Sequence, residues 1–256
     1  MVFSSGGTPT NPSDVFLRDM VSGQERALTA EEPDIAKGYR QINGSGMEVL
    51  YTASAYEVYA VPAQGGAKRK ICEKCGPTES LSSDGKQFLA TQQGSPRAGI
   101  NLVDVASGNT TLVLQHSQYR VSTPRFSPDG KWIAFRLIRG AGAIDILLAP
   151  FRGGVSVPEQ DWITVTPAPA NVHQAFWSPD GGLVYYVIGA GGSTSLMARR
   201  LDRNHHPVDP PFRVFEFPGR PTPASAVSDL LTAMPGRFIG AMTENSSNIW
   251  MTDLPK

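Results

Sequence analysis

Two stretches of the chain are near copies: Pro124-Arg-Phe-Ser-Pro-Asp-Gly-Lys-Trp-Ile-Ala-Phe135 and Ala175-Phe-Trp-Ser-Pro-Asp-Gly-Gly-Leu-Val-Tyr-Tyr186. Two further copies are degraded, Ser80-Leu-Ser-Ser-Asp-Gly-Lys-Gln-Phe-Leu-Ala90 and Arg40-Gln-Ile-Asn-Gly-Ser-Gly-Met-Glu-Val-Leu-Tyr51. Their glycines, Gly46, Gly85, Gly130 and Gly181, are separated by 39, 45 and 51 residues, and Gly236 continues the series. A repeat of this length marks an architecture of stacked supersecondary units.

The copies have a mechanical meaning. In Ser127-Pro-Asp-Gly130 the proline presets φ for a type I turn, the aspartate suits the next position and the glycine accepts positive φ, so a hairpin continues. Each turn joins an inner strand to an apolar second strand, such as Trp132–Leu137 or Leu183–Ile188, and a loop then leads to a third strand. The third strands form their own series: 15–20, 57–62, 100–105, 144–149, 196–201 and 248–253. Glycines at Ser22-Gly23, Gly65-Gly66, Ser107-Gly108 and Gly153-Gly154 mark the turns into fourth strands. A four-stranded sheet cannot bury both faces alone, whereas radial stacking covers them and leaves only short edges.

The reading is therefore all-β, a single β-propeller over residues 1–256 of about six four-stranded antiparallel blades with incomplete terminal blades. A partial blade falls at 1–30, full blades at about 38–76, 77–121, 122–172 and 173–218, and a second partial blade at 219–256. The chain is expected to begin inside a repeat, as a fragment of something longer would. A β-sandwich is the competing architecture, but its turn signals do not return at such a period. Helix is expected only over 224–231, if anywhere.

Composition narrows the partners. Lys and Arg total 23 and Asp and Glu total 23, so no basic excess attracts phosphate backbones, and nucleic acid is not expected. No run approaches the roughly 18 apolar residues of a membrane span, so this segment is not expected to insert. The only thiols, Cys72 and Cys75, supply two ligands where structural zinc wants four; a turn with free thiols or a short disulfide is expected.

Tests for chemistry are negative. Gly-x-Ser-x-Gly is absent: Ser45 follows Gly44 directly, and Ser195 stands where Ser193 would need a glycine. Gly189, Gly191 and Gly192 lie between two strands, the wrong setting for a phosphate loop. His205 and His206 are read as a solvated loop, and Asp84, Asp129 and Asp180 as turn residues that bond backbone amides. No catalytic residue, metal or cofactor is expected. Binding is expected on the face of the fourth-to-first and second-to-third strand loops, since loops on a rigid scaffold concentrate function. Tyr119, Arg120, Arg139 and His173 are the candidate contacts there, Arg and Tyr being favoured at interface hot spots.

The Phe-Ser-Pro-Asp-Gly-Lys-Trp-Ile-Ala-Phe element resembles the TolB-like, WD-repeat-like propeller repeat across nearly the whole chain. More narrowly, Val61-Pro-Ala-Gln-Gly-Gly, Lys70-Ile-Cys-Glu-Lys-Cys-Gly76, Leu147-Leu-Ala-Pro-Phe-Arg-Gly153 and Ser247-Asn-Ile-Trp-Met-Thr-Asp-Leu254 are similar to C-terminal propellers of bacterial serine/threonine kinases and winged-helix regulators. That resemblance implies a non-catalytic module binding a protein or small-molecule ligand, the sensory extracytoplasmic or periplasmic part of a signalling protein whose kinase or regulator domain shares the parent chain. A second reading is the accessory gating propeller of a prolyl-oligopeptidase-like peptidase. A third, a glycan-cleaving propeller, needs acidic or histidine clusters that the inner strands around Arg125, Ala175 and Ala224 do not advertise. Asn43-Gly-Ser-Gly46 and Ser82-Ser-Asp-Gly85 lack the proline, so their blades are expected to close less regularly.

Overall fold

A computed structural model describes residues 2–5, 14–19, 21–29, 38–140, 143–166, 172–190, 193–217, 232–234 and 237–239. The first sheet holds β1 (Val2–Ser5), β2 (Asp14–Arg18) and β3 (Glu25–Ala27). The second holds β4 (Gly38–Ile42), β5 (Glu48–Thr52), β6 (Val58–Pro62) and β7 (Arg69–Cys72), and the third β8 (Ser80–Leu81), β9 (Gln87–Thr91), β10 (Ile100–Asp104) and β11 (Thr110–Leu114). The fourth holds β12 (Arg120–Phe126), β13 (Trp132–Gly140), β14 (Ala143–Pro150) and β15 (Ile163–Thr164). The fifth holds β16 (Val172–Trp177), β17 (Leu183–Ala190), β18 (Ser193–Arg200) and β19 (Phe212–Phe217). A hairpin of β20 (Thr232–Met234) and β21 (Arg237–Ile239) follows. Every pairing is antiparallel between consecutive strands, and each sheet is finished before the next begins. A sandwich would require strands to switch sheets; here the first strands β4, β8, β12, β16 and β20 lie side by side in succession, as they do around a propeller axis.

The apolar faces explain the arrangement. In β5, Val49 and Tyr51 pack toward β2, while Leu50 packs with Phe88 and Ala90 of the third sheet. In β13, Ile133, Phe135 and Leu137 join Leu89, Ile100 and Leu114 of the third sheet, while Ala134 joins Val172, Ala175 and Val184 of the fifth. The period is two, yet both faces are buried, so the strands read in sequence as continuous apolar runs.

The hairpin turns share one wiring. Ser127 Oγ donates to Asp129 Oδ1 (2.6 Å) and accepts from Trp132 N (2.9 Å), while Asp129 Oδ1 accepts from Lys131 N (3.1 Å). Ser178 with Asp180, and Ser82 with Asp84, repeat it. The degraded copy keeps it with the roles exchanged: Ser45 Oγ donates to Asn43 Oδ1 (2.9 Å), Met47 N to Ser45 Oγ (3.4 Å) and Glu48 N to Asn43 Oδ1 (3.2 Å). Loss of the proline therefore leaves these turns as regular as the others, contrary to the sequence expectation. Gly46, Gly85, Gly130 and Gly181 all hold φ near +70° (72°, 73°, 69° and 74°).

Several strands outrun their sequence limits. Arg139 is the last residue but one of β13, Arg120 opens β12 and His173 lies within β16, where loops were expected. The helix expected at 224–231 and the third strand expected at 248–253 lie outside the described residues.

Two glycines with the same φ should respond differently to a methyl group. A Cβ on Gly108 (φ 71°) would collide with the Ile71 carbonyl oxygen of the preceding sheet, whereas one on Gly130 (φ 69°) meets nothing within 4 Å. Gly130→Ala is expected to cost about 1–2 kcal/mol for the left-handed backbone alone, and Gly108→Ala clearly more, because backbone must shift. Urea unfolding of the two variants checks this; equal losses would refute the clash.

Candidate functional site

The face carrying the fourth-to-first connections and second-to-third hairpins brings two of the four candidate residues together. The β13–β14 hairpin sets Arg139 so that its Nε donates to Asp145 Oδ2 at 2.6 Å, and Asp145 is buried. The Arg139 guanidinium carbon lies 5.7 Å from the Tyr119 ring centroid, cation–π range. Tyr119 is half-buried against the core between the third and fourth sheets, its ring 4.8 Å from that of His116. The charge of Arg120 acts instead on another group, Glu79. His173 is one sheet further on, opposite Val187, and is not part of the Tyr119–Arg139 cluster.

His116 locks the connection that carries Tyr119. Its Nδ1 accepts from Gln118 N (3.0 Å) and Tyr119 N (3.2 Å), and its Nε2 stands 3.3 Å from Glu159 Oε2. The other Glu159 oxygen accepts from Ser117 N at 2.5 Å. Glu159 sits in a short 3₁₀ turn, Glu159–Asp161, within the segment leading to β15. Trp162, which follows it, is 5.9 Å from His116 and edge-on to Phe135.

Sequence reasoning missed a buried carboxyl beside the inner strands. Glu79, immediately before β8, is 6% exposed, and its Oε2 accepts from Thr91 N (2.8 Å) and Thr91 Oγ1 (2.6 Å). Burial pushes its carboxyl up to about 7; the Thr91 bonds and the charges of Arg125 and Arg120 pull the other way and only partly offset it. Thr91 Oγ1 also accepts from Thr123 N (3.1 Å) of the next sheet, so one hydroxyl links Glu79 to β12. The preceding seam has the same device, Thr78 N donating to Thr52 Oγ1 at 2.9 Å. Gln41 Nε2 donates to the Glu79 carbonyl (3.2 Å), Phe126 N to Ser80 Oγ (3.0 Å) and Trp177 Nε1 to the Arg125 carbonyl (3.2 Å), so adjacent inner strands are bonded at every seam from β4 to β16. Bulges interrupt β4, β12 and β16 at the same level. Within them Tyr39 (φ 42°) and Thr123 (φ 50°) take the left-handed conformation, which is uncommon for any residue but glycine.

Other sequence candidates resolve differently. His205 is not in a solvated loop: its ring stacks on Trp132 at 4.5 Å and meets Trp177 edge-on at 5.7 Å, and burial lowers its pKa. Only His206 is exposed, as the opposed directions of adjacent side chains require. Cys72 and Cys75 form a disulfide. Among the described residues no three His, Cys, Asp or Glu side chains group as metal ligands would. No described helix is long and apolar enough to cross a membrane.

No known family's sequence profile matches the chain. Among curated proteins it is 28% identical over 96 residues to the uncharacterized peptidase YuxL of Bacillus subtilis, a match spanning 37% of this chain and 14% of that protein. Among solved structures, TolB from Acinetobacter baumannii superposes with a TM-score of 0.65 at 17% identity, over 90% of this chain and 57% of that one. A putative TolB from Agrobacterium tumefaciens gives 0.66 at 19% identity, over 89% and 81%. The fold is that of the TolB-type β-propellers. It is shared with catalytic proteins: an oligogalacturonate lyase in complex with manganese (TM-score 0.62, 15% identity, 85% and 63% coverage) and prolyl endopeptidases (0.51, 14%, 83% and 40%). The chain thus spans about one seventh of the curated relative and little over half of the first of these structures.

Glu79 makes stability depend on pH in an unusual direction. Its folded pKa, about 7, lies above the ordinary 4.5, so the native state holds this proton more tightly than the unfolded chain. Its contribution is therefore complete below pH 4.5 and is lost as pH rises toward 7. Urea unfolding from pH 5 to pH 8 should show a decline of about 2–3 kcal/mol that Glu79→Gln removes; the same decline in the variant would acquit this carboxyl.

Proposed function

We propose that the chain is a non-catalytic binding propeller that holds a protein or small-molecule ligand on the face described above. Tyr119, Arg120, Arg139 and His173 are the contact residues in this reading. The observation that carries it is the Tyr119–Arg139–Asp145 cluster: an aromatic ring on the connection that His116 locks and a guanidinium on the β13–β14 hairpin, both held in place before any partner arrives. Preordered side chains lose little entropy on binding, which is what gives tyrosine and arginine their weight in interfaces. The TolB-type fold supports the same role.

In this reading the propeller is the extracytoplasmic, sensory part of a larger signalling protein with a kinase or regulator domain elsewhere in the parent chain. The Cys72–Cys75 disulfide supports a location outside the cytoplasm, where thiols are not kept reduced. The match to YuxL favours a second reading, in which the propeller gates a peptidase domain attached to it and captures no free partner.

The two readings part in a capture experiment with periplasmic extract. Immobilised wild-type chain should retain a defined partner, and Tyr119→Ala or Arg139→Ala should weaken that retention at least about tenfold, the least expected of a hot-spot residue. Equal capture by both variants would refute the assigned face; no capture by the wild type would favour the peptidase reading.

A further inference from the structure

The inner end of the seam between the third and fourth sheets has polar groups that the fold does not use. Ser122 is 5% exposed, and its Oγ has no hydrogen-bond partner among the described residues; the same holds for Thr123 Oγ1. A buried hydroxyl left unbonded costs free energy, and most such groups in proteins find a partner. The equivalent hydroxyl one sheet earlier, Thr78 Oγ1, has one, the Tyr39 carbonyl oxygen. Thr123 is also a β-branched residue at φ 50°, a conformation kept only where the surroundings impose it and one that gathers at ligand sites. The bulge between Ser122 and Arg125 breaks the alternation that would send adjacent side chains to opposite faces.

Arginine charge reaches the neighbouring Glu79. Arg120 opens the same strand and has no ion pair among the described residues, while its field and that of Arg125 reach Glu79. Thr123 N is bonded to Thr91 Oγ1, which is bonded to Glu79. On the other flank, β4 contributes Gln41 to the Glu79 carbonyl and carries Arg40, which is half-buried. Two unbonded hydroxyl donors and nearby guanidinium groups make a setting for a group that accepts hydrogen bonds and carries negative charge.

We propose that Arg120, Ser122 and Thr123 form a receptor for an oxyanion, the carboxylate or an equivalent anionic group of a ligand at the inner end of this seam, with Glu79 as the neighbouring group that sets its charge. The proposal rests on reading this face as the ligand-binding face and adds the chemistry of what is bound. Protonated Glu79 leaves the arginine charge to the ligand. Ionised Glu79 repels the ligand and takes that charge for itself. Arg120 and Arg125 on β12, Thr91 on β9, and Arg40 and Gln41 on β4 are the charged and polar groups around it.

The test uses the full chain, with sulfate and acetate as probes and chloride as the counter-ion at constant ionic strength. Both probes keep their charge from pH 6 to pH 8. Two-dimensional NMR should show saturable shifts of the Ser122 and Thr123 amides at pH 6. Affinity should be about tenfold weaker at pH 8, as the protonated fraction of Glu79 falls across a pKa near 7. Arg120→Gln and Ser122→Ala should abolish the shifts. Ser122→Ala should leave urea stability unchanged or raised, because no bond is lost, and a purely structural serine would instead show a loss. Glu79→Gln should keep binding and remove its pH dependence. Absence of saturable shifts with either anion, or their survival in Arg120→Gln and Ser122→Ala, overturns the site; binding that is equal at both pH values overturns the role of Glu79. Partner capture through Arg139 does not involve Ser122, so either result can fail without the other.

Discussion

No sheet in this protein is self-sufficient. Each four-stranded unit has two apolar faces, and only another such unit offers a surface of matching width and pleat. The alternation within β13 shows the constraint: Phe135 belongs to the core shared with the third sheet, its neighbour Ala134 to the core shared with the fifth. A single strand therefore takes part in two cores, and damage to one seam is felt by the sheet that also forms the next.

The same constraint places polar chemistry at the inner ends of the seams. Apolar residues fill the space between sheets until the inner strands approach, and there backbone groups face one another with no ladder partner. Unpaired buried amides are costly, and side chains from the neighbouring sheet meet the need. Thr52 serves Thr78 and Thr91 serves Thr123, while Ser80, Gln41 and Trp177 bond other inner-strand groups. Thr91 has a second duty, because its donor proton goes to Glu79. A bond that exists to close a seam thereby holds an ionisable group in a dry setting, which accounts for its high pKa.

The fold was legible where the relevant contacts are local. Ser, Asp and Gly within one turn bond one another, so their chemistry and spacing can be read directly; even Asn43-Gly-Ser-Gly46 was recognisable because an amide oxygen and a hydroxyl can exchange roles. Tyr119 and Arg139 were legible as residue types in loops of one face, although the buried Asp145 that bonds Arg139 was not. What could not be read joins residues far apart in the chain. Nothing near Glu79 announces Thr91 or Arg125, and nothing in Asn204-His-His206 announces that His205 meets Trp132 across a seam. Those encounters depend on how one sheet leans on the next.

Uniformity in the turns contrasts with divergence on the inner strands. The turn residues keep one hydrogen-bond pattern from blade to blade, each bonding within its own turn. The inner strands differ at the matching level, where Tyr39-Arg40, Thr78-Glu79 and Thr123-Pro124 occupy equivalent places before their turns. One pair has an unusual backbone and a half-buried arginine, the next a buried carboxyl, the third an unusual backbone and an unbonded hydroxyl. If packing alone governed that level, the same physical demand at each seam would favour the same residues, as it does in the turns. Chemically different answers to one geometric demand are what the proposed binding site would require, because a ligand at the axis would meet each blade from a different side.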